Sequence, residues 1–132
     1  MTEAGITAVN PSVLPPPTST FTHGALVTGA RRTLYVSGQV PWSDTEGNVP
    51  ADFPTQARVT YANLLAVLAE AGMTVHNLAK LTVYLSDRAY RAPHGEVLEE
   101  VLQGHRPAFT SIITDIYSEA WLLEVDAIAV SF

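Results

Sequence analysis

Hydrophobic and polar positions alternate over 21–28 and again from Thr33 to Ser37, with Gly29, Ala30 and Arg31 between them. That pattern predicts two strands joined as an antiparallel hairpin, with Gly38 ending or kinking the second. The period then changes. Over 56–71 apolar residues recur at Tyr61, Leu64, Leu65, Leu68 and Ala71, the spacing of one helix face, and Gly72 supplies a C-terminal stop. Alternation returns over 78–86, where Leu81, Val83 and Leu85 share one face and Thr82 and Tyr84 the other, so a strand is expected. Pro93 in a first turn, the stripe Val97, Leu98, Val101 and Leu102, and Gly104 behind it predict a second helix. Strands are expected over 108–116 and 121–130, separated by the turn Ser118-Glu119-Ala120.

Two stretches lack either period. The lead-in, 1–19, carries Pro11, Pro15, Pro16 and Pro17 among small polar residues, which favours an extended or polyproline-type path along the surface. The stretch 41–54 combines Asp44, Glu46, Gly47 and Asn48 with prolines and reads as a turn-rich connection. The order is therefore two strands, helix, strand, helix, two strands, an α+β sheet whose two helices can cover one face only. Near the end of the chain both alternating sets become apolar, with Val125, Ala127 and Ala129 pointing one way and Ile128 and Val130 the other. The uncovered face calls for a partner, and a second copy of the chain is the simplest one.

Composition sharpens this picture. At 132 residues and 47% apolar content, one domain spanning 1–132 is expected, with 1–19 as its extended lead-in. Only 15% of residues are charged, against roughly 25% in an average domain, a second pointer to self-association. There is no cysteine, which excludes disulfides, a thiolate metal site and a thiol nucleophile. Seven basic against thirteen acidic residues give a formal charge of −6, which disfavours nucleic acid and anionic membrane as partners. The first twenty residues hold no basic and apolar leader pattern, and no long apolar run follows, so a cytoplasmic protein is expected.

Motif chemistry is sparse. His23, His76, His94 and His105 are scattered without ligand spacing, so no metal and no cofactor is expected. The serines lack the G-x-S-x-G context of a nucleophile, and no glycine loop of phosphate-binding type is present. Arg88, Arg91, His94, His105 and Arg106 form one basic cluster around the second helix, readable as a solvated face or as a rim that attracts an anion.

Six blocks in order resemble the RidA (YjgF) family. They are Asn10-Pro11 with Leu14-Pro15-Pro16 and Phe21-Thr22-His23-Gly24; Tyr35-Val36-Ser37-Gly38-Gln39-Val40-Pro41; the helix from Gln56 to Gly72; Leu81-Thr82-Val83-Tyr84-Leu85-Ser86-Asp87; Arg106-Pro107-Ala108; and Leu123-Glu124-Val125-Asp126-Ala127-Ile128-Ala129. The resemblance implies a chorismate mutase-like fold, a homotrimer whose sheets form a central barrel, and small-molecule clefts at the subunit boundaries. It also implies cofactor-free hydrolysis of 2-imino or enamino acids to 2-keto acids and ammonia. Some members are assigned to ligand binding or ribonuclease action instead.

Residue by residue, the resemblance puts the carboxylate that orients the attacking water at Glu124. The alternative for Glu124 and Asp126, which share a strand face, is a structural or solvated acidic strip. Gly38 stands where the backbone approaches the ligand closely. The family's carboxylate-binding Arg follows Pro-Ala, and here that position is Phe109; Arg106, an odd number of strand residues away, points to the opposite face. Phe21 replaces a Tyr, and Gly95 stands in place of an Asn. Among the histidines only His23 falls near this cleft, and Phe21 with Phe109 makes it more apolar than a bare carboxylate prefers, or fills it shut. Three functions compete: a divergent imine or enamine deaminase, a non-catalytic small-ligand-binding trimer, and, opposed by the acidic charge, a ribonuclease.

Overall fold

The computed structural model describes residues 3–18 and 20–132, so Met1, Thr2 and Ser19 of the expected lead-in lie outside the described residues. The strands are β1 (Gly5–Val9), β2 (Gly24–Thr28), β3 (Arg32–Gln39), β4 (Leu78–Leu85), β5 (Ala108–Ile113) and β6 (Leu123–Ser131), and the helices are α1 (Phe53–Glu70) and α2 (Arg91–Leu102). A four-stranded mixed sheet runs in the order β3-β6-β4-β5, and β1 and β2 form a separate antiparallel pair. The α+β class with two helices is thus observed.

The termini of α1 follow from local chemistry. Asp52 caps it, accepting from Thr55 N at 3.0 Å and from Thr55 Oγ1 at 2.8 Å, and Pro54 sits in the first turn, so the helix opens three residues before 56. At the other end Gly72 takes φ +73°, the left-handed stop that a glycine supplies without strain. Leu64, Leu68 and Tyr61 on one face of α1 pack with Leu98 and Leu102 of α2 over Leu81, Val83 and Leu85 of β4 and Leu123 and Val125 of β6. The opposite sheet face carries Thr82 and Tyr84 of β4, Glu124, Asp126 and Ile128 of β6, Ile112 of β5 and Tyr35 of β3, whose side chain is 76% exposed. No helix covers it among the described residues.

The expected hairpin over 21–37 and the expected direct turn between the last two strands are both corrected. β2 pairs with β1, from Gly5 opposite Thr28 to Val9 opposite Gly24, whereas β3 pairs with β6, from Arg32 opposite Ser131. The lead-in contributes Ile6 and Val9, giving β2 a closer partner than β3, so within the extended-or-polyproline lead-in 5–9 takes the extended form, as a paired strand. At the C-terminal end β5 runs parallel to β4, the neighbour that a strand–helix–strand connection through α2 provides, and β6 inserts between β3 and β4. The nine residues between β5 and β6 are enough for the chain to cross to that slot, so the expected turn at 118–120 is part of a crossover.

Candidate functional site

The expected site residues fall into two groups on opposite faces of the sheet. On the open face, Glu124 of β6 lies beside Tyr84 and along the strand from Asp126, which accepts a hydrogen bond from the Tyr84 hydroxyl at 2.9 Å. Pairing of β3 with β6 shifts register between Val36 and Gln39, and Gly38 sits in that bulge. A Cβ at Gly38 would run into the Glu124 carboxyl group, so the glycine leaves the space the carboxylate occupies. Partial burial pushes the Glu124 carboxyl above the usual carboxylate range, and the negative charge of Asp126 adds to the rise.

The second group lines a cleft of about 180 Å³ where α2 meets the β5 edge of the sheet. Leu85, Leu98 and the Phe109 ring supply its apolar surface, His94 and Gly95 one wall, and Arg91, Thr20 and Ser111 its polar groups. Nothing lies within 4 Å of a Cβ placed at Gly95. Phe109 and Gly95 therefore come together as expected, but Glu124 does not join them. Phe109 pairs in register with core-facing Leu81, whereas Glu124 pairs with Tyr84 on the open face. Phe21 does not line the cleft: its neighbour Thr22 bridges Ala108 at the edge of β5, the Thr22 N–H donates to Pro107 O at 3.1 Å, and the Phe21 ring meets His23 edge-on at 5.7 Å.

The expectation that His23 alone approaches the cleft is corrected. His23 is held by the lead-in, with Nε2 2.7 Å from Pro15 O and its N–H donating to Asn10 Oδ1 at 2.8 Å. His94 lines the cleft instead, 4% exposed, with its ring stacked 6.4 Å from that of Phe109 and Nε2 hydrogen-bonded to the Tyr61 hydroxyl at 2.7 Å. The sequence signal was there: His94 lies three and four residues before Val97 and Leu98, on the inward stripe. Burial lowers His94 to about 4 and raises the Tyr61 phenol, so both stay neutral. No group of three or more metal-binding side chains occurs among the described residues, and no described helix is long and apolar enough to cross a membrane.

A pH effect follows. Below the ordinary imidazole value of 6.5 the unfolded chain takes up a proton at His94 that the folded chain refuses until about 4. The stability held by the neutral ring is complete above 6.5 and is lost as pH falls through that window, by about 2 kcal/mol at pH 5. Urea unfolding at pH 7 and 5 should show that extra loss in the wild type and not in His94→Gln; equal losses in the two proteins would contradict a buried neutral ring.

Comparison with known proteins decides the family. A family model described as endoribonuclease L-PSP matches residues 13–131. TdcF of Escherichia coli K12, a candidate reactive intermediate deaminase, is 31% identical over 100 residues covering 74% of this chain and 78% of TdcF. The chain belongs to the RidA (YjgF) family. A Rid family protein from Yersinia pestis, YyfB, superposes with a TM-score of 0.85 at 25% identity, covering 96% of this chain and 99% of that one. Crystalline E. coli TdcF, which holds serine, gives a TM-score of 0.72 at 26% identity, again over 96% and 99%. The Rid relationship accounts for the chorismate mutase-like fold, and with it for a sheet left bare on one face.

Proposed function

We propose that the chain is a divergent deaminase-type hydrolase of the Rid family. It acts on a small imine, enamine or carbonyl-type metabolite with an apolar side chain, in a cleft completed by a neighbouring copy in a homotrimer in the cytoplasm. The observation that carries this reading is Glu124, a partly desolvated carboxylate seated in the space left by Gly38. A carboxylate with a raised proton affinity, held where a backbone strand comes close, can accept a proton from water as its oxygen attacks the imine carbon. The resulting carbinolamine collapses to a carbonyl and ammonia, consuming one water and no cofactor. The open face bearing Glu124 and the cleft bearing Phe109 lie apart in one protomer, and trimer packing that sets one copy's open face against another's β5 edge would bring them together. The exposed Tyr35 and Ile112 on that face support such packing.

Phe109 in place of a guanidinium makes the specificity testable. With imines generated in solution by an amino acid oxidase, wild type should release ammonia faster from the leucine-derived imine than from the alanine-derived one. Phe109→Arg should reverse the order, raising the rate on the small imine about tenfold through a charge-assisted hydrogen bond. Background rates for both proteins on both substrates would overturn the deaminase reading.

A specific observation favours a second reading, a trimer that holds a ligand without turnover. The stacked Phe109 and His94 rings narrow the cleft to about 180 Å³ and leave it without the family's anchor. Ligand-dependent thermal stabilisation with no ammonia release would select it.

A further inference from the structure

The Phe109 position has lost a guanidinium, but the cleft has not. Arg91, the first residue of α2, lines the same space as Phe109, one helical turn before Gly95 and on the same face. It also lines an adjoining hollow with Arg88. No Asp or Glu lines either concavity, although the chain carries thirteen acidic residues against seven basic ones. The only ion pair among the described residues, Arg58 with Glu100, lies elsewhere, so the Arg91 guanidinium has no carboxylate partner there.

We propose that Arg91 is the carboxylate-binding residue of this cleft, displaced from the strand to the start of α2, and that the ligand is a small 2-oxo or 2-imino acid with a branched apolar side chain. Its carboxylate pairs with the planar fork of Arg91 at the mouth, and its side chain lies on the Phe109 ring between Leu85 and Leu98. Gly95 is part of this arrangement: the open space at its missing side chain lets a ligand reach from the Arg91 rim to the apolar floor. The volume suits an acid of about six carbons, since a non-hydrogen atom occupies on the order of 15–20 Å³ at interior packing density. A bare apolar cleft would reject an anion; one with a free guanidinium at its rim accepts an acid and selects its tail.

This assignment rests on the deaminase reading only for the ligand's chemical class, and its test needs no turnover. Binding of 4-methyl-2-oxopentanoate and of 4-methylpentan-2-one, the same skeleton without the carboxylate, is measured by calorimetry at low salt. Wild type should prefer the acid at least tenfold. Arg91→Ala should abolish the preference and leave ketone binding unchanged, Arg91→Lys should recover part of it, and Arg58→Ala, which removes an equal charge from the exposed ion pair, should retain it. Full discrimination by Arg91→Ala, no discrimination by wild type, or no binding of the acid by wild type would each overturn the assignment. A protein that discriminates through Arg91 but releases no ammonia would keep the anchor and lose only the deaminase reading.

Discussion

Glu124→Gln is expected to lower ammonia release from the leucine-derived imine by roughly 10²- to 10⁴-fold, the range for loss of a positioned proton acceptor. Glutamine keeps the shape that fills the space beside Gly38, so fold and acid binding should persist and the loss should fall on the rate. The pH profile separates this from a packing defect. The proposed role requires an ionised Glu124, so wild-type activity should fall on the acid side, with its midpoint above the ordinary carboxylate range because burial and Asp126 hold the proton more tightly. Asp126→Asn removes the like charge and should move that midpoint to lower pH. Gly38→Ala, whose methyl group enters the carboxyl's space, should reduce the rate without removing any titrating group. Unchanged turnover in Glu124→Gln would take Glu124 out of the mechanism and leave Glu124 and Asp126 as a structural strip.

How much of this was legible beforehand depends on whether local sequence decides the feature. Helix α1, strand β4 and helix α2 follow from periodicity and from caps such as Gly72, because those signals lie within a few residues of what they specify. Strand pairing does not. The Gly29 turn has a hairpin's composition, yet β2 finds β1, because the choice is made by whichever apolar edge lies alongside once the helices dock. Period two correctly placed Glu124 and Asp126 on one face, but whether that face is the one Phe109 lines depends on register across β4, which no single strand reveals. The helix stripe, counted from Val97, omitted its own first turn, and with it His94. For Arg91 the sequence leaves open a solvated face or an anion-attracting rim, because its cleft exists only after β5 comes to lie against α2.

Gln56→Ala should destabilise the fold by about 3–5 kcal/mol, a large share of the 5–15 kcal/mol typical of a domain. Gln56 is 1% exposed on α1 and spends both ends of its amide on backbone. Its Nε2 donates to Pro50 O at 2.8 Å and to Ala120 O at 2.9 Å, and its Oε1 accepts from Leu122 N at 2.9 Å. Truncation to alanine removes all three part-buried bonds at once and leaves two carbonyls and an N–H without their partner. Gln56→Glu is expected to fare no better, since a carboxylate keeps the Leu122 bond and sets negative charge against two carbonyl oxygens. The measurement is urea unfolding at one fixed protein concentration, because the proposed trimer would make the midpoint depend on it. A loss below about 1 kcal/mol would mean that the three bonds are readily replaced. The consequence reaches the site, for these bonds fix the chain at 120–122, immediately before the strand that carries Glu124. A loosened entry to β6 lets the carboxylate leave the space beside Gly38, so Gln56→Ala assayed below its unfolding midpoint should turn over more slowly than its folded fraction accounts for, with binding at the Arg91 cleft unaltered.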